Sequence, residues 1–198
     1  MLSPISGLPR VEVMPGERYT TSSPIDIKTL LGSCIAACLY DSEAKVAGLN
    51  HFLLAAPRYS RSMPFIATDA GRYGIHAMEL LINDMIKLGA RRSALRAKIF
   101  GGASVLEFAC ESSFLCVHEV NQRFIRDYLA TEKIPIISED LGGRMGRVIH
   151  FHSDSFRVFR RFIRKKETVS IEEDERKYWK VAVEVESRKP TEGEAILF

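Results

Sequence analysis

The chain contains no run of about 18 apolar residues, so no single segment reads as a membrane-spanning helix. Cysteine is scarce as well. Cys34, Cys38, Cys110 and Cys116 are the four present, without the framework spacing of small secreted domains, and they are read as reduced thiols in a cytoplasm. The N-terminus lacks a basic stretch followed by an apolar block, so no signal peptide is expected. Net charge is small: 28 Lys and Arg against 25 Asp and Glu give a formal +3, too little to argue for a nucleic-acid partner. Neither glycine-rich nucleotide fingerprint is present, and no internal repeat or low-complexity tract occurs. Zinc sites usually show two tight ligand pairs. Cys110 and Cys116, with His118 nearby and Cys34 and Cys38 as the nominal second pair, do not match that pattern, and no metal is expected.

What is present is an ordinary globular composition, 46% hydrophobic and 27% charged, in 198 residues. That length suits one domain with a tail. The character changes near Lys165, so residues 1–164 are read as the domain and 165–198 as a charged extension. The extension carries the acidic run Glu172 to Glu175 and a further candidate strand over Trp179 to Val185.

The chain is organised around two apolar, β-prone segments, Leu30 to Asp41 and Gly48 to Leu54, separated by the turn-like Asp41-Ser42-Glu43-Ala44-Lys45. Each contains one residue that a plain core strand does not need: Cys34 after a Gly-Ser break, and His51 after Asn50. An antiparallel pairing with Leu39 opposite Val46 brings Cys34 and His51 near a cross-strand pair. A thiol and its general base require that proximity, because an ordinary cysteine is only a few per cent thiolate near neutrality. The imidazole can take the proton and leave a thiolate–imidazolium pair. Gly32 lets the backbone bend so that the sulfur is exposed, and backbone N–H groups of such a bend can bind a developing oxyanion. The alternative is that Cys34 is a small buried hydrophobe, the commonest fate of free cysteine.

Elsewhere, Val11 to Met14 suggests a short strand in an otherwise loop-like N-terminus. Ala55 to Gly71 is a long loop with Arg58 and Arg61, able to meet an acidic partner surface. Ile75, Met78, Ile82 and Met85 recur at helical spacing and predict a helix over 73–88 ended by Gly89. Lys98 to Phe100 is a short strand stopped by Gly101-Gly102, and Phe114 to Val117 reads as another. Asn121 is placed as the cap of a helix whose apolar face is Phe124, Ile125, Tyr128 and Leu129. Lys133 to Ser138 is a strand that Pro135 assigns to a sheet edge. Glu139 to Arg144 is a turn, and 147–151 with 156–163 form a hairpin on which His150 and His152 make a surface imidazole pair. Strands outnumber helices, so the fold class is α+β.

Leu31-Gly32-Ser33-Cys34-Ile35-Ala36-Ala37-Cys38-Leu39-Tyr40-Asp41 and Gly48-Leu49-Asn50-His51-Phe52-Leu53-Leu54 resemble the signature of the CheD family of chemoreceptor glutamine deamidases. Further blocks follow in order: Arg72-Tyr73-Gly74 with Ala77 to Ile82, Ala97 to Ala103, Asn121 with Phe124, and Glu139 to Gly143 with Gly146-Arg147. The resemblance spans about residues 10 to 163. It implies a β-sandwich-like core of mixed strands flanked by two or three helices, similar to the cysteine–histidine toxin deamidases. It further implies hydrolysis of glutamine side chains to glutamate on the cytoplasmic helices of chemoreceptors. Cys34 would be the nucleophile, His51 the base and Thr29 the third catalytic group, with Gly32, Ser33 and Asn50 as substrate or oxyanion candidates. No cofactor is implied. A CheC-type phosphatase is an implied partner, and a non-catalytic adaptor that binds receptors or such a phosphatase is the competing class.

Overall fold

A computed structural model describes residues 7–54, 59–60, 69–105, 114–115 and 117–163. The loop arginines Arg58 and Arg61, the cysteines Cys110 and Cys116, and the whole of 165–198 lie outside those residues. Among the described residues eleven strands run in chain order: β1 (Arg10–Glu12), β2 (Arg18–Thr21), β3 (Asp26–Leu31), β4 (Ile35–Asp41), β5 (Val46–Phe52), β6 (Tyr59–Ser60), β7 (Arg96–Gly101), β8 (Phe114–Leu115), β9 (Ile136–Leu141), β10 (Arg147–His152) and β11 (Val158–Phe162). Two helices, α1 (Asp69–Lys87) and α2 (Val117–Thr131), and a short 3₁₀ turn at Arg92–Ala94 complete them.

The strands form a four-stranded sheet of order β1-β3-β10-β11 and a five-stranded sheet of order β2-β5-β4-β7-β9, with β6 and β8 paired separately. Both larger sheets are mixed, since β1–β3 and β7–β9 are parallel and the other pairs antiparallel. The result is the expected α+β class, with two sheets packed face to face and both helices on the far side of the five-stranded one.

Alternation along β4 shows the layering. Ile35, Ala37 and Leu39 join Met78, Leu81, Ile82 and Met85 of α1 and Phe124, Ile125 and Leu129 of α2 in one core. Cys34, Ala36 and Cys38 point the other way, into a second core with Ile27, Leu31, Ile149 and Phe151 of the four-stranded sheet. A strand buried on both faces has no polar side to show, which is why Ile35 to Leu39 reads as a continuous apolar run. β5 follows the same rule: Ala47, Leu49 and Leu53 lie in the inter-sheet core, Val46, Phe52 and Leu54 in the helix-side core.

Several expectations shift in detail. Helix α1 begins four residues before the expected start at Tyr73 and ends at Lys87, just ahead of Gly89, whose φ is +99°. Asn121 does not cap α2, because the helix already starts at Val117 and places this residue one turn inside it. β9 does occupy a sheet edge, yet it runs through Glu139-Asp140-Leu141, so the turn lies beyond Leu141 and opens on Gly142 and Gly143 at φ +81° and +77°. His150 and His152 are not a surface pair. Both flank the fully buried Asp26 on the neighbouring strand, His150 Nδ1 at 3.0 Å and His152 Nε2 at 3.9 Å, with Arg10 bonding the same carboxylate at 2.9 Å. A buried carboxylate gathers such partners because its isolated charge would be too costly to desolvate. Among the described residues no helix is long and apolar enough to cross a membrane.

Candidate active site

The β4–β5 hairpin closes two residues tighter than the apolar runs suggest. Asp41 pairs with Val46 and Leu39 with Gly48, not Leu39 with Val46. The Asp41 carboxylate fixes this register locally, its Oδ1 accepting from the N–H groups of Glu43 and Ala44 at 2.9 and 3.1 Å. In consequence His51 faces Ala36, and Cys34 stands two positions further along the same face. The two are diagonal rather than direct neighbours, a spacing still within reach of a long side chain.

Cys34 occupies the corner where the chain leaves one sheet for the other. Thr29 lies on β3 in the four-stranded sheet, His51 on β5 in the five-stranded sheet, and Gly32-Ser33-Cys34 crosses between them. Positions 27, 29 and 31 of β3 face inward, as do 47, 49 and 51 of β5 and Leu53 just beyond it, so all three side chains converge on the inter-sheet space. Thr29, Cys34 and His51 are buried. The bend therefore does not expose Cys34.

The hydrogen bonds determine the tautomer of His51. Thr29 Oγ1 lies 2.7 Å from the carbonyl oxygen of Val13 and 2.8 Å from His51 Nδ1. A carbonyl only accepts, so the single hydroxyl proton of Thr29 goes to Val13. Toward His51 the oxygen must accept, which places the ring proton on Nδ1. Nε2 then carries the lone pair, and it is buried with no hydrogen-bond partner among the described residues. Burial pushes the His51 pKa from 6.5 down to about 4, only partly opposed by the Val13 carbonyl. The imidazole is consequently neutral near pH 7, and a resting thiolate–imidazolium pair is disfavoured.

The corner itself is pinned at three successive carbonyls. Gly32 O accepts from Ala103 N at 2.7 Å, Ser33 O from Asn121 Nδ2 at 3.0 Å, and Cys34 O from Gly102 N at 2.7 Å. The two glycines at the end of β7, Gly101 and Gly102, thus approach the backbone of the cysteine itself. Gly101 has φ +116°, and a Cβ there would fall inside the carbonyl oxygen of Cys34. Behind this turn, Gly142 N bonds Gly101 O at 2.9 Å. The buried Arg147 in turn bonds the carbonyls of Asp140 and Gly142 and the Asp140 carboxylate.

Of the residues singled out from the sequence, Thr29, Cys34 and His51 are brought together, and Gly32 and Ser33 form the bend beside them. Asn50 is not. Its side chain lies on the opposite face of β5, where Oδ1 accepts from Ala37 N at 3.3 Å and Nδ2 donates to Ala77 O at 3.3 Å, tying α1 to the sheet. Neighbours on a strand point to opposite faces, so the Asn50 side chain does not join His51 in the inter-sheet space. Cys38 shares the face of Cys34, but burial drives its thiol pKa far above the ordinary value, which keeps it protonated. The sequence reading missed Val13, which contributes only a backbone oxygen and leaves no side-chain signal. It also missed the placement of Asn121, whose position three and four residues before Phe124 and Ile125 put an amide on an apolar stripe.

Fold and site together define an α+β protein of two packed sheets with a buried threonine–histidine–cysteine arrangement between them. Residues 57–162 match the family model described as CheD chemotactic sensory transduction, a span that begins after Thr29, Cys34 and His51. The chain is 52% identical over 181 residues to a probable chemoreceptor glutamine deamidase CheD 1 of Geobacter sulfurreducens, covering 91% of this chain and 90% of the relative. It is 49% identical over 179 residues to a probable chemoreceptor glutamine deamidase CheD 2 of Shewanella oneidensis, with 88% of each covered. A probable chemoreceptor glutamine deamidase CheD of Laribacter hongkongensis shares 42% identity over 191 residues, 96% of this chain and 88% of the relative. The chain belongs to the CheD family.

Proposed function

We propose that this protein hydrolyses glutamine side-chain amides of chemoreceptors to glutamate, through a thioester on Cys34. The observation that carries the reading is the relay Val13 O, Thr29 Oγ1, His51 Nδ1, which leaves Nε2 as a buried base with no hydrogen-bond partner among the described residues, on the face that also presents Cys34. Two relatives that share 52% and 49% identity with the chain are named probable chemoreceptor glutamine deamidases.

In the first half-reaction, Sγ of Cys34 attacks the amide carbon as Nε2 of His51 takes the thiol proton. Because His51 is neutral at rest, this proton moves during the attack rather than before it. The tetrahedral intermediate collapses with transfer of that proton from His51 to the departing nitrogen, releasing ammonia and leaving the thioester. A water then adds to the thioester carbon while His51 again accepts a proton. Collapse returns the proton to sulfur and releases glutamate. Thr29 orients the ring and holds its proton on Nδ1 throughout, the role of the third member of such groups. The backbone of the Gly32-Ser33-Cys34 bend is the candidate for stabilising the oxyanion; Asn50, committed to α1, is not. No step calls for a cofactor.

The decisive experiment is mass spectrometry of a chemoreceptor cytoplasmic fragment incubated with the protein, reading the roughly one-dalton gain of an amide-to-acid change. The wild type is expected to produce it, and Cys34→Ala and His51→Asn to abolish it while keeping the fold. Full activity of Cys34→Ala would refute the thioester mechanism. Absence of any deamidation by a folded wild type would refute the enzymatic reading.

A further inference from the structure

We infer that Asn121 is a positioning residue for this chemistry, setting the geometry of the Cys34 corner against the strand that carries His51. The inference rests on the deamidase reading above.

Asn121 is fully buried in the second turn of α2. Its Nδ2 donates to Ser33 O at 3.0 Å, and its Oδ1 accepts from Leu54 N at 2.9 Å. The assignment of the two amide atoms is forced, because a flipped amide would set donor against donor and acceptor against acceptor. One side chain thus ties the residue immediately before the nucleophile to the residue three after the base. Of the three corner carbonyls, Gly32 O and Cys34 O are held by backbone groups of the 102–103 turn, whereas Ser33 O is held by this side chain.

The peptide joining Ser33 to Cys34 is planar, so its C=O and N–H directions are coupled. Pinning Ser33 O therefore sets the direction of the Cys34 N–H, the backbone donor nearest the reacting sulfur. It also fixes the peptide plane from which the Cys34 side chain departs. A helix interior is a poor place for asparagine on propensity alone, and its buried neighbours Val120, Phe124 and Ile125 are apolar. The amide is explained by the two backbone groups it joins.

The test is Asn121→Asp, which preserves shape. The variant's carboxylate still accepts from Leu54 N but donates to Ser33 O only when protonated. At neutral pH kcat is expected to fall by about 10- to 100-fold with KM little changed, as a sub-ångström misplacement of reacting groups does. The ratio of variant to wild-type kcat should rise as pH is lowered, because protonation restores the donor. Asn121→Ser, which loses both ties, should show the low kcat without that pH-dependent recovery, and it supplies the measurement if the Asp variant fails to fold. Tyr128→Phe, on the same helix, loses a 2.5 Å bond to Glu79 and serves as the control for general loosening of α2. It should lose stability and keep kcat.

Wild-type kcat in folded Asn121→Asp and Asn121→Ser would overturn the inference, as would equal kcat losses in the Asn121 and Tyr128 variants. Such results leave the deamidase reading standing so long as Cys34→Ala is inactive. Activity in Cys34→Ala would instead remove the reading on which the inference depends.

Discussion

Gly101 links the stability of the fold to the proposed chemistry, because it packs directly on the backbone of Cys34. Its φ of +116° is a conformation that L side chains rarely adopt, and a Cβ there would overlap the carbonyl oxygen of Cys34, with the carbonyl carbon at 3.1 Å and Ile35 Cα at 3.2 Å. All three obstacles are backbone, so no side chain can swing away. For Gly101→Ala, the Cys34 carbonyl must retreat by on the order of 1 Å to recover ordinary contact. That breaks the 2.7 Å bond from Gly102 N. The strained dihedral costs about 1–3 kcal/mol, and the lost bond about 1 kcal/mol more. We therefore expect a loss near 3 kcal/mol, a fall in melting temperature of about 6–12 °C for a chain of this size, and a drop in kcat of about 100-fold from displacement of Cys34, the proposed nucleophile. Gly89→Ala is the matched control: its φ is +99°, but the space around it is open. It should show the dihedral cost alone and wild-type kcat. Urea denaturation gives the stabilities, and receptor-fragment deamidation gives the rates. If Gly101→Ala is no less stable than Gly89→Ala and turns over like the wild type, the contact between this glycine and the Cys34 backbone does not constrain the site.

Thr29→Val should lower kcat by about 10- to 100-fold with the fold retained, and Thr29→Ser should restore most of it, because only the hydroxyl bridges Val13 O and His51 Nδ1; equal rates for the two variants would refute the relay. The depressed pKa of His51 has a thermodynamic counterpart. The folded value is about 4 against 6.5 ordinarily, so the unfolded chain binds the extra proton between these values. The associated stability is full above about pH 6.5 and is lost as pH falls toward 4, by up to about 3 kcal/mol. Denaturation midpoints from pH 7 to pH 4 should fall less steeply in His51→Asn, and parallel curves would contradict the burial argument. Cys38→Ala should keep full activity and lose about 1 kcal/mol of packing energy; loss of turnover without loss of stability would show that the second thiol takes part in the reaction.

Local sequence carries the information for elements and for chemistry that depends on a single residue. The helical recurrence of Ile75, Met78, Ile82 and Met85 defined α1, because an amphipathic stripe repeats with the helix itself. The continuous apolar run around Cys34 and the polar residues at 41–45 defined the β4–β5 hairpin. The Gly-Ser-Cys and Asn-His blocks marked the candidate nucleophile and base. Register was decided elsewhere, since a strand buried on both faces looks alike when shifted by two positions. The side chain of Asp41, bonding the N–H groups of Glu43 and Ala44, selects among these alternatives. That choice turned a direct Cys34–His51 pair into a diagonal one.

Tertiary structure also decided what each polar residue near the site is for. Asn50 and His51 are adjacent in sequence, and strand alternation sends one to α1 and the other to the inter-sheet space. Thr29 reaches His51 only because two sheets pack face to face, a contact across 22 positions that no local pattern encodes. Val13 contributes a main-chain oxygen, and a main-chain oxygen has no sequence signature. Asn121 joins residues 88 and 67 positions away through hydrogen bonds that exist only once α2 docks against the end of β5. The sequence by itself determined which side chains could do the chemistry. The packing of the two sheets and the helix layer decided which of them meet, because burial and hydrogen bonding between distant segments are properties of the assembled fold.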